Sequence, residues 1–284
     1  MKTFSRVPNE RTFSRIACPV CGNTVFSVKW DLETYSFSKC GRCGLVLQNP
    51  QPKSGELVQR YDQKYFEYEI ENEEAFFQLM LLGLRDVDFF TEIEPALDPL
   101  GKGGRFLDIG CATGKLLDYV KKRGWSEKGI EVCIPAAEYA RDVRGLDVTG
   151  STLQEARLKN ASFDIVHASH LIEHLTDPGD FVRQAYDLLK PGGTVILTTP
   201  NSSGFQALLY GDRWRSAIAD HMFLFSKHTL PALLEKAGFT VEKTRTWGGI
   251  AAGLAPRPVK KFLDTWVKKI GWGDVMIIRA RKPV

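Results

Sequence analysis

Four of the six cysteines stand as two Cys-x-x-Cys pairs, Cys18 with Cys21 and Cys40 with Cys43, with 18 residues between the pairs. Four thiolates at this spacing close a tetrahedral zinc site and leave no open coordination position, so they predict a metal that supports folding rather than catalysis. A second constellation is an apolar run from Arg105 that ends in Asp108-x-Gly110-x-x-x-Gly114. It predicts a buried strand, a tight turn and a helix start, where glycines bring the backbone close to a nucleoside and helix N–H groups face it. Glu131 lies about 20 residues past those glycines, where a carboxylate can accept hydrogen bonds from both ribose hydroxyls. The third constellation is His170, Glu173 and His174, with His221 further on. Imidazoles titrate in the range a general base needs, and a helical segment would set His170 and His174 one turn apart.

The elements that must position these groups alternate as in a parallel α/β sheet. After the strand at 105–109, apolar runs at 126–132, 145–149, 162–168 and 194–201 predict further strands, with a helix at 179–189 and a Pro-Gly-Gly turn at 191–193. Strands at 239–246 and 274–280 complete the sheet. Between the knuckles, 25–30 and 34–38 alternate as a β-hairpin would. Ser54 is placed to cap a helix through Tyr65, and Asn72 a longer one from Glu73 to about Glu94. The glycine turn is not a dinucleotide fingerprint. With Gly110 as its first glycine, Ala112 and Lys115 occupy the positions of the second and third.

The order of acid–glycine turn, ribose acid, Glu-His-Leu and Pro-Gly-Gly resembles class I S-adenosylmethionine (SAM)-dependent methyltransferases over roughly residues 104–246. The likeness is to the branch holding ubiquinone-pathway O-methyltransferases and many natural-product and sugar methyltransferases, with Ala112 in place of the usual middle glycine. It implies a Rossmann-like seven-stranded α/β sheet, its last strand antiparallel, with a small zinc-ribbon module in front. The implied cofactor contacts are Asp108, Gly110, Ala112, Gly114, Glu131 and Val132, then Thr152 and Leu153 against adenine, and Ala168 and Ser169 near the methyl group. The ubiquinone-pathway enzymes and the small-RNA 3′-end methyltransferases share Glu-x-x-Glu-His with a later histidine and hold a divalent cation there. Here Glu173, His174 and His221 match, but His170 replaces the first acid. A base role for the histidines, a second divalent cation, and a merely structural Glu173–His174 all stay open. The organisation expected is a zinc ribbon at 1–50, a helical linker or lid at 51–100, and a SAM domain at 101–284 with an acceptor-shaping insertion at about 202–225.

The chain has 284 residues, 43% hydrophobic and 25% charged, with a net charge of +4. This is the balance of an ordinary soluble protein with one full domain and a small module. No segment is long and apolar enough to span a membrane, and the first residues lack the apolar core of a signal peptide, so a cytoplasmic location is expected. Cys111 and Cys133 read as packed thiols. Residues 257–282 are basic, and 257–270 carries an apolar helical face that could pack on the domain, line the pocket or touch lipid. The activity expected is O-methylation of a small-molecule, sugar or lipid-linked biosynthetic intermediate. Two alternatives are methylation of RNA at a 2′-oxygen or base, and non-catalytic SAM or zinc binding. The ribbon argues weakly for RNA, because Lys29, Asp31, Glu33 and Lys39 make no basic stripe between the knuckles.

Overall fold

The computed structural model describes residues 13–52, 61–97, 103–249, 267–268 and 270–284. Five short strands come first: β1 (Phe13–Ser14), β2 (Phe26–Asp31), β3 (Ser36–Cys40), β4 (Val46–Gln48) and β5 (Gln51–Pro52). Helix α1 (Gln63–Asp86) and the short α2 (Glu94–Leu97) follow. The remainder runs β6 (Arg105–Ile109), α3 (Lys115–Lys122), β7 (Ser126–Glu131), α4 (Ile134–Asp142), β8 (Val148–Gly150), β9 (Phe163–Ser169), α5 (Pro178–Leu188), β10 (Leu189–Pro200), α6 (Phe205–Tyr210), β11 (Phe223–Leu224), α7 (Thr229–Lys236), β12 (Thr240–Trp247) and β13 (Val275–Arg281).

The large sheet has seven strands in the order β12-β13-β10-β9-β6-β7-β8. Its strands from β10 to β8 pair in parallel, and β13 runs antiparallel to both β10 and β12, as the resemblance implies. The inner strands β6 and β9 are almost continuously buried, which is what a parallel sheet covered on both faces demands. From β6 the chain builds outward first to β7 and β8, then returns to β9 and β10 on the other side. The crevice beyond the carboxyl ends of β6 and β9 is therefore the topological switch point, where open α/β sheets take their ligands.

Helix α1 corrects one expectation. A single helix replaces the two expected on either side of Asn72, because Asp62, not Asn72, supplies the cap. Its Oδ1 accepts from the backbone N–H groups of Lys64 and Tyr65 at 3.0 and 3.2 Å. Asn72 instead donates back to the Tyr68 carbonyl at 2.8 Å, an i−4 bond that leaves the helix unbroken. Phe77, Leu81 and Leu84 are buried from α1, and the helix stops before Asp88, whose φ of +56° no α-helix continues through. The expected start at Ser54 and most of the basic segment at 257–270 lie outside the described residues.

The front module is not a separate body. Its hairpin and β4 form a four-stranded sheet ordered β11-β4-β3-β2, so a strand from the insertion after β10 closes the ribbon's sheet. Cys18, Val20, Cys40, Leu45 and Leu47 share one buried cluster with Met222, Phe223, Phe225 and the core between α5, α7 and the sheet. The hydrogen-bonded sheet thus crosses the boundary expected at residue 50.

Candidate functional site

A cavity of about 550 Å³ opens at the switch point. One wall is the turn after β6. Gly110 adopts a φ of +75°, a backbone conformation that strains any side chain, although a Cβ there would only touch Leu171 at 3.5 Å. Glu131, at the end of β7, is 3% exposed, and each of its carboxylate oxygens accepts one backbone bond at 2.8 Å, from Ala112 N–H and from Cys133 N–H. Burial raises its pKa and those backbone bonds oppose the rise. Each carboxylate oxygen can accept a second hydrogen bond, so ribose hydroxyls would meet unspent acceptor capacity. Val132, Thr152, Leu153 and Ser169 line the same cavity, together with Ser151 and Gln154. This volume, mixing apolar walls with a few fixed polar groups, fits a cofactor of nucleoside size.

Four of the implied cofactor contacts sit elsewhere. Asp108 is not on the cavity wall; its Oδ1 is 2.7 Å from Nδ1 of His167, its direct cross-strand partner, and both are buried. Ala112 contributes through its N–H to Glu131 rather than by contact. Gly114 caps α3 at a φ of +77°, and a Cβ there would meet Leu146 Cδ1 at 2.6 Å and Ala140 Cβ at 3.0 Å, so its smallness serves the packing of α3 against α4 and the loop after it. Ala168 points into the core, as strand alternation requires once its neighbour Ser169 faces the cavity. His167 escaped the sequence reading. Its signal was a single imidazole inside the apolar run of β9, level with an acid in the adjacent buried strand.

The opposite wall holds the histidines. They do not share an α-helix. His170 leaves β9 with a φ of +52°, and only Ile172–His174 form a 3₁₀ turn, because the chain must swing sharply from β9 toward α5. His170 Nδ1 lies 3.0 Å from Glu173 Oε1, and Thr199 Oγ1 donates to Glu173 Oε2 at 2.9 Å. Burial would raise the Glu173 pKa, but the His170 hydrogen bond and the fields of His170, His174 and His221 outweigh it and hold it down to about 2. His174 lines the cavity, and its Nδ1 donates to the Asp220 carbonyl at 3.0 Å. His221 Nδ1 donates to the Ser216 carbonyl at 2.8 Å. Both Nδ1 atoms are thereby fixed as N–H donors, which leaves the lone pair on Nε2. Burial pushes the His221 pKa down to about 4, with His174 adding to the effect. Glu173, His174 and His221 each offer a ligand atom within 4.8 Å of the others, while His170 stands outside that group.

The cavity's remaining side is the start of α1, which supplies Tyr65, with Tyr61 just before the helix. Behind them, Glu69 hydrogen-bonds Tyr65 and feels both Glu131 and His170. Glu73 pins the helix to the glycine turn, accepting from Thr113 Oγ1 at 2.6 Å and pairing with Lys115 at 3.1 Å and with Arg144. Neither Glu69 nor Glu73 belongs to a motif that the sequence reading identified.

In the front module, Cys18 Sγ lies 3.4 Å from Cys43 Sγ and Cys21 Sγ 3.5 Å from Cys40 Sγ, and all four sulfurs are within 4.8 Å of one another. That is the compact set of soft donors a tetrahedral zinc takes. Burial pushes the Cys18 and Cys43 thiols up, whereas at Cys40 the N–H donors of Cys43 and Arg42 outweigh burial and bring the pKa to about 6. Cys111 and Cys133 are buried and unpaired in disulfides.

A family model described as a methyltransferase domain matches residues 83–244. The ubiquinone biosynthesis O-methyltransferase of Paracidovorax citrulli is 33% identical over 122 residues, 40% of this chain and 50% of the relative. That of Caulobacter vibrioides is 36% identical over 110 residues, 35% of this chain and 42% of the relative. The chain thus spans half or less of the length of these curated relatives. Among solved structures, a SAM-dependent methyltransferase of Thermotoga maritima, described as a possible histamine N-methyltransferase, is 25% identical with a TM-score of 0.53, covering 76% of this chain and 98% of that one. With the strand order, the switch-point cavity and a family match over more than half its length, the chain belongs to the methyltransferase-domain family and has the class I SAM-dependent methyltransferase fold.

Proposed function

We propose that the protein O-methylates a hydroxyl of a small biosynthetic intermediate, a sugar or a lipid-linked precursor, with SAM as donor. The observation that carries this reading is a single cavity bounded on one side by Gly110 and Glu131 and on the other by His170 and His174. SAM supplies an already activated methyl group on a sulfonium, so the protein's tasks are orientation and the handling of one proton. Gly110, Glu131, Val132, Thr152 and Leu153 would hold the nucleoside, with Ser169 at the methyl end.

His174 fits the proton's destination. Its Nδ1–H is spent on the Asp220 carbonyl, so Nε2 is the acceptor nitrogen on a residue that lines the cavity. A divalent cation is the second reading, favoured by the convergence of Glu173, His174 and His221. Both imidazoles carry the Nδ1–H to carbonyl bond that orients metal-bound histidine. Two nitrogens and one carboxylate suit zinc, iron or manganese better than magnesium, and would lower the pKa of an acceptor hydroxyl instead of taking its proton. The four ribbon cysteines would hold a structural zinc. The names of the curated relatives favour a small acceptor over RNA.

Transfer of label from methyl-labelled SAM into fractionated cell extract tests the proposal. Label in a ribonuclease-resistant small-molecule, glycan or lipid fraction is expected. Label in a ribonuclease-sensitive fraction would replace this acceptor class with RNA.

A further inference from the structure

One residue that joins the two modules is Gln48, at the end of β4 and 2% exposed. Its side-chain Nε2 donates to two backbone carbonyls, Ala219 at 2.9 Å and His221 at 2.8 Å. Its backbone N–H donates to the Met222 carbonyl at 2.9 Å. Those carbonyls flank Asp220, whose own carbonyl receives Nδ1–H of His174. On its far side the same loop is tied to the catalytic turn, since Met222 N–H donates to the Glu173 carbonyl at 2.7 Å. Tyr35 from the ribbon adds a bond from its hydroxyl to the Ala217 carbonyl at 2.9 Å.

We propose that Gln48 of the ribbon is a positioning residue for methyl transfer, its carboxamide clamping the 219–222 loop so that the Asp220 carbonyl and the His221 ring fix the geometry at His174. The clamp is specific in its chemistry. Two carbonyls facing one point require a group with two N–H donors, which a glutamine amide has and a carboxylate, hydroxyl or thioether lacks. Without it, one buried and one half-buried carbonyl lose their donor and the loop can relax away from the 3₁₀ turn. The ribbon reaches the site by this route: β4 follows directly on the Cys40–Cys43 knuckle, and Cys40 N–H already bonds the Leu45 carbonyl at 2.8 Å. The inference rests on the proposed role of His174, and its test separates the two.

Gln48→Met keeps the side chain's length and removes both donors. Three readouts are taken together: calorimetric binding of S-adenosylhomocysteine, the imidazole ¹⁵N shifts of each histidine read through carbon-bound ring protons, and label transfer from methyl-labelled SAM into the ribonuclease-resistant extract fraction. The expected result is binding within about twofold of wild type, His167 shifts unchanged, His174 and His221 shifts displaced, and transfer reduced at least about tenfold. His167 is the internal control, because a general loosening of the fold would move it as well. Unmoved His174 and His221 shifts, or undiminished transfer, in a folded Gln48→Met protein overturns the inference. Should that variant not fold, Gln48→Asn, which keeps the amide but draws it back by one methylene from both carbonyls, answers the same question with a smaller expected displacement of the same two imidazoles, and no displacement overturns it. His174→Ala is run alongside. If it leaves transfer intact, the His174 reading falls and the inference with it; if it abolishes transfer while Gln48→Met does not, the inference alone falls.

Discussion

The two walls of the cavity are built over different distances along the chain. At the cofactor wall, Glu131 bonds Ala112, 19 residues away, and Cys133, two residues away, so β6, β7 and their turns suffice. At the histidine wall, His174 bonds a carbonyl 46 residues on, Glu173 takes a hydroxyl 26 residues on, and the loop between them is clamped from 173 residues back. The first wall is a local motif that folds wherever a buried parallel strand meets a glycine turn. The second exists only when β9, β10, the insertion after β10 and the ribbon have all docked. Cofactor binding is thereby separable from turnover, and substitutions on the two walls should divide along that line.

Two large effects are expected, the first on the cofactor wall. Glu131→Ala removes the ribose acceptor and also leaves the N–H groups of Ala112 and Cys133 without their carboxylate. Loss of charged hydrogen bonds of this kind costs about 3 kcal/mol, so affinity for S-adenosylhomocysteine should fall by roughly a hundredfold in calorimetry. Binding within about threefold of wild type would remove the ribose assignment. His174→Ala is the complementary break. Methyl transfer should drop by about 10²- to 10⁴-fold while cofactor affinity holds, the range lost with a general base. A parallel loss of both would show that the walls are not independent. Manganese titration of the apo protein sharpens the same point: binding that disappears in His221→Ala favours the cation over the free base.

What could be read from the sequence follows the same division. The strands, the Gly110 turn, the acid Glu131 at the end of its strand and the cysteine knuckles were legible because each is set by spacing within one or two elements. The convergence of His174 with His221 was legible only through likeness to known enzymes, and the likeness also implied cofactor contacts for Asp108, Gly114 and Ala168, which do not line the cavity. Asp108 bonds a histidine 59 residues later, Gly114 makes room for Leu146, and Ala168 faces inward, all consequences of tertiary packing that the motif's spacing does not encode. Gln48 passed unnoticed since a glutamine after an apolar pair looks like a strand's polar end. The helix break expected at Asn72 failed for a local reason, an i−4 side-chain bond in place of a cap.

A smaller effect should follow from Gly114→Ala. The positive φ and the 2.6 Å approach to Leu146 Cδ1 make this a packing defect at the start of α3, costing about 1–3 kcal/mol. The melting temperature should fall by several degrees, with cofactor affinity reduced only as far as the turn is displaced. A loss of affinity with no loss of stability would return Gly114 to direct contact with the cofactor.

The smallest expected effect lies where the walls meet. Glu69 on α1 feels Glu131 from one wall and His170 from the other, and burial, reinforced by Glu131, raises its pKa to about 7 against the pull of Tyr65 and His170. An acid whose folded pKa lies above its unfolded value binds more protons folded than unfolded between about 4.5 and 7. Stability is therefore lost as pH rises through that window, and the full cost applies above it. Glu69→Gln cannot ionise and escapes the cost, so it should be more stable than wild type at pH 8 by about 1 kcal/mol, after allowance for solvent screening of a partly exposed group. Near pH 4.5 the two proteins should converge, apart from whatever the altered bond to Tyr65 contributes. Urea unfolding at pH 5 and pH 8 reads the difference. If wild type and variant change in parallel between the two, the carboxyl of Glu69 is solvated like any surface acid, and α1 transmits no charge between the cofactor wall and the histidine wall.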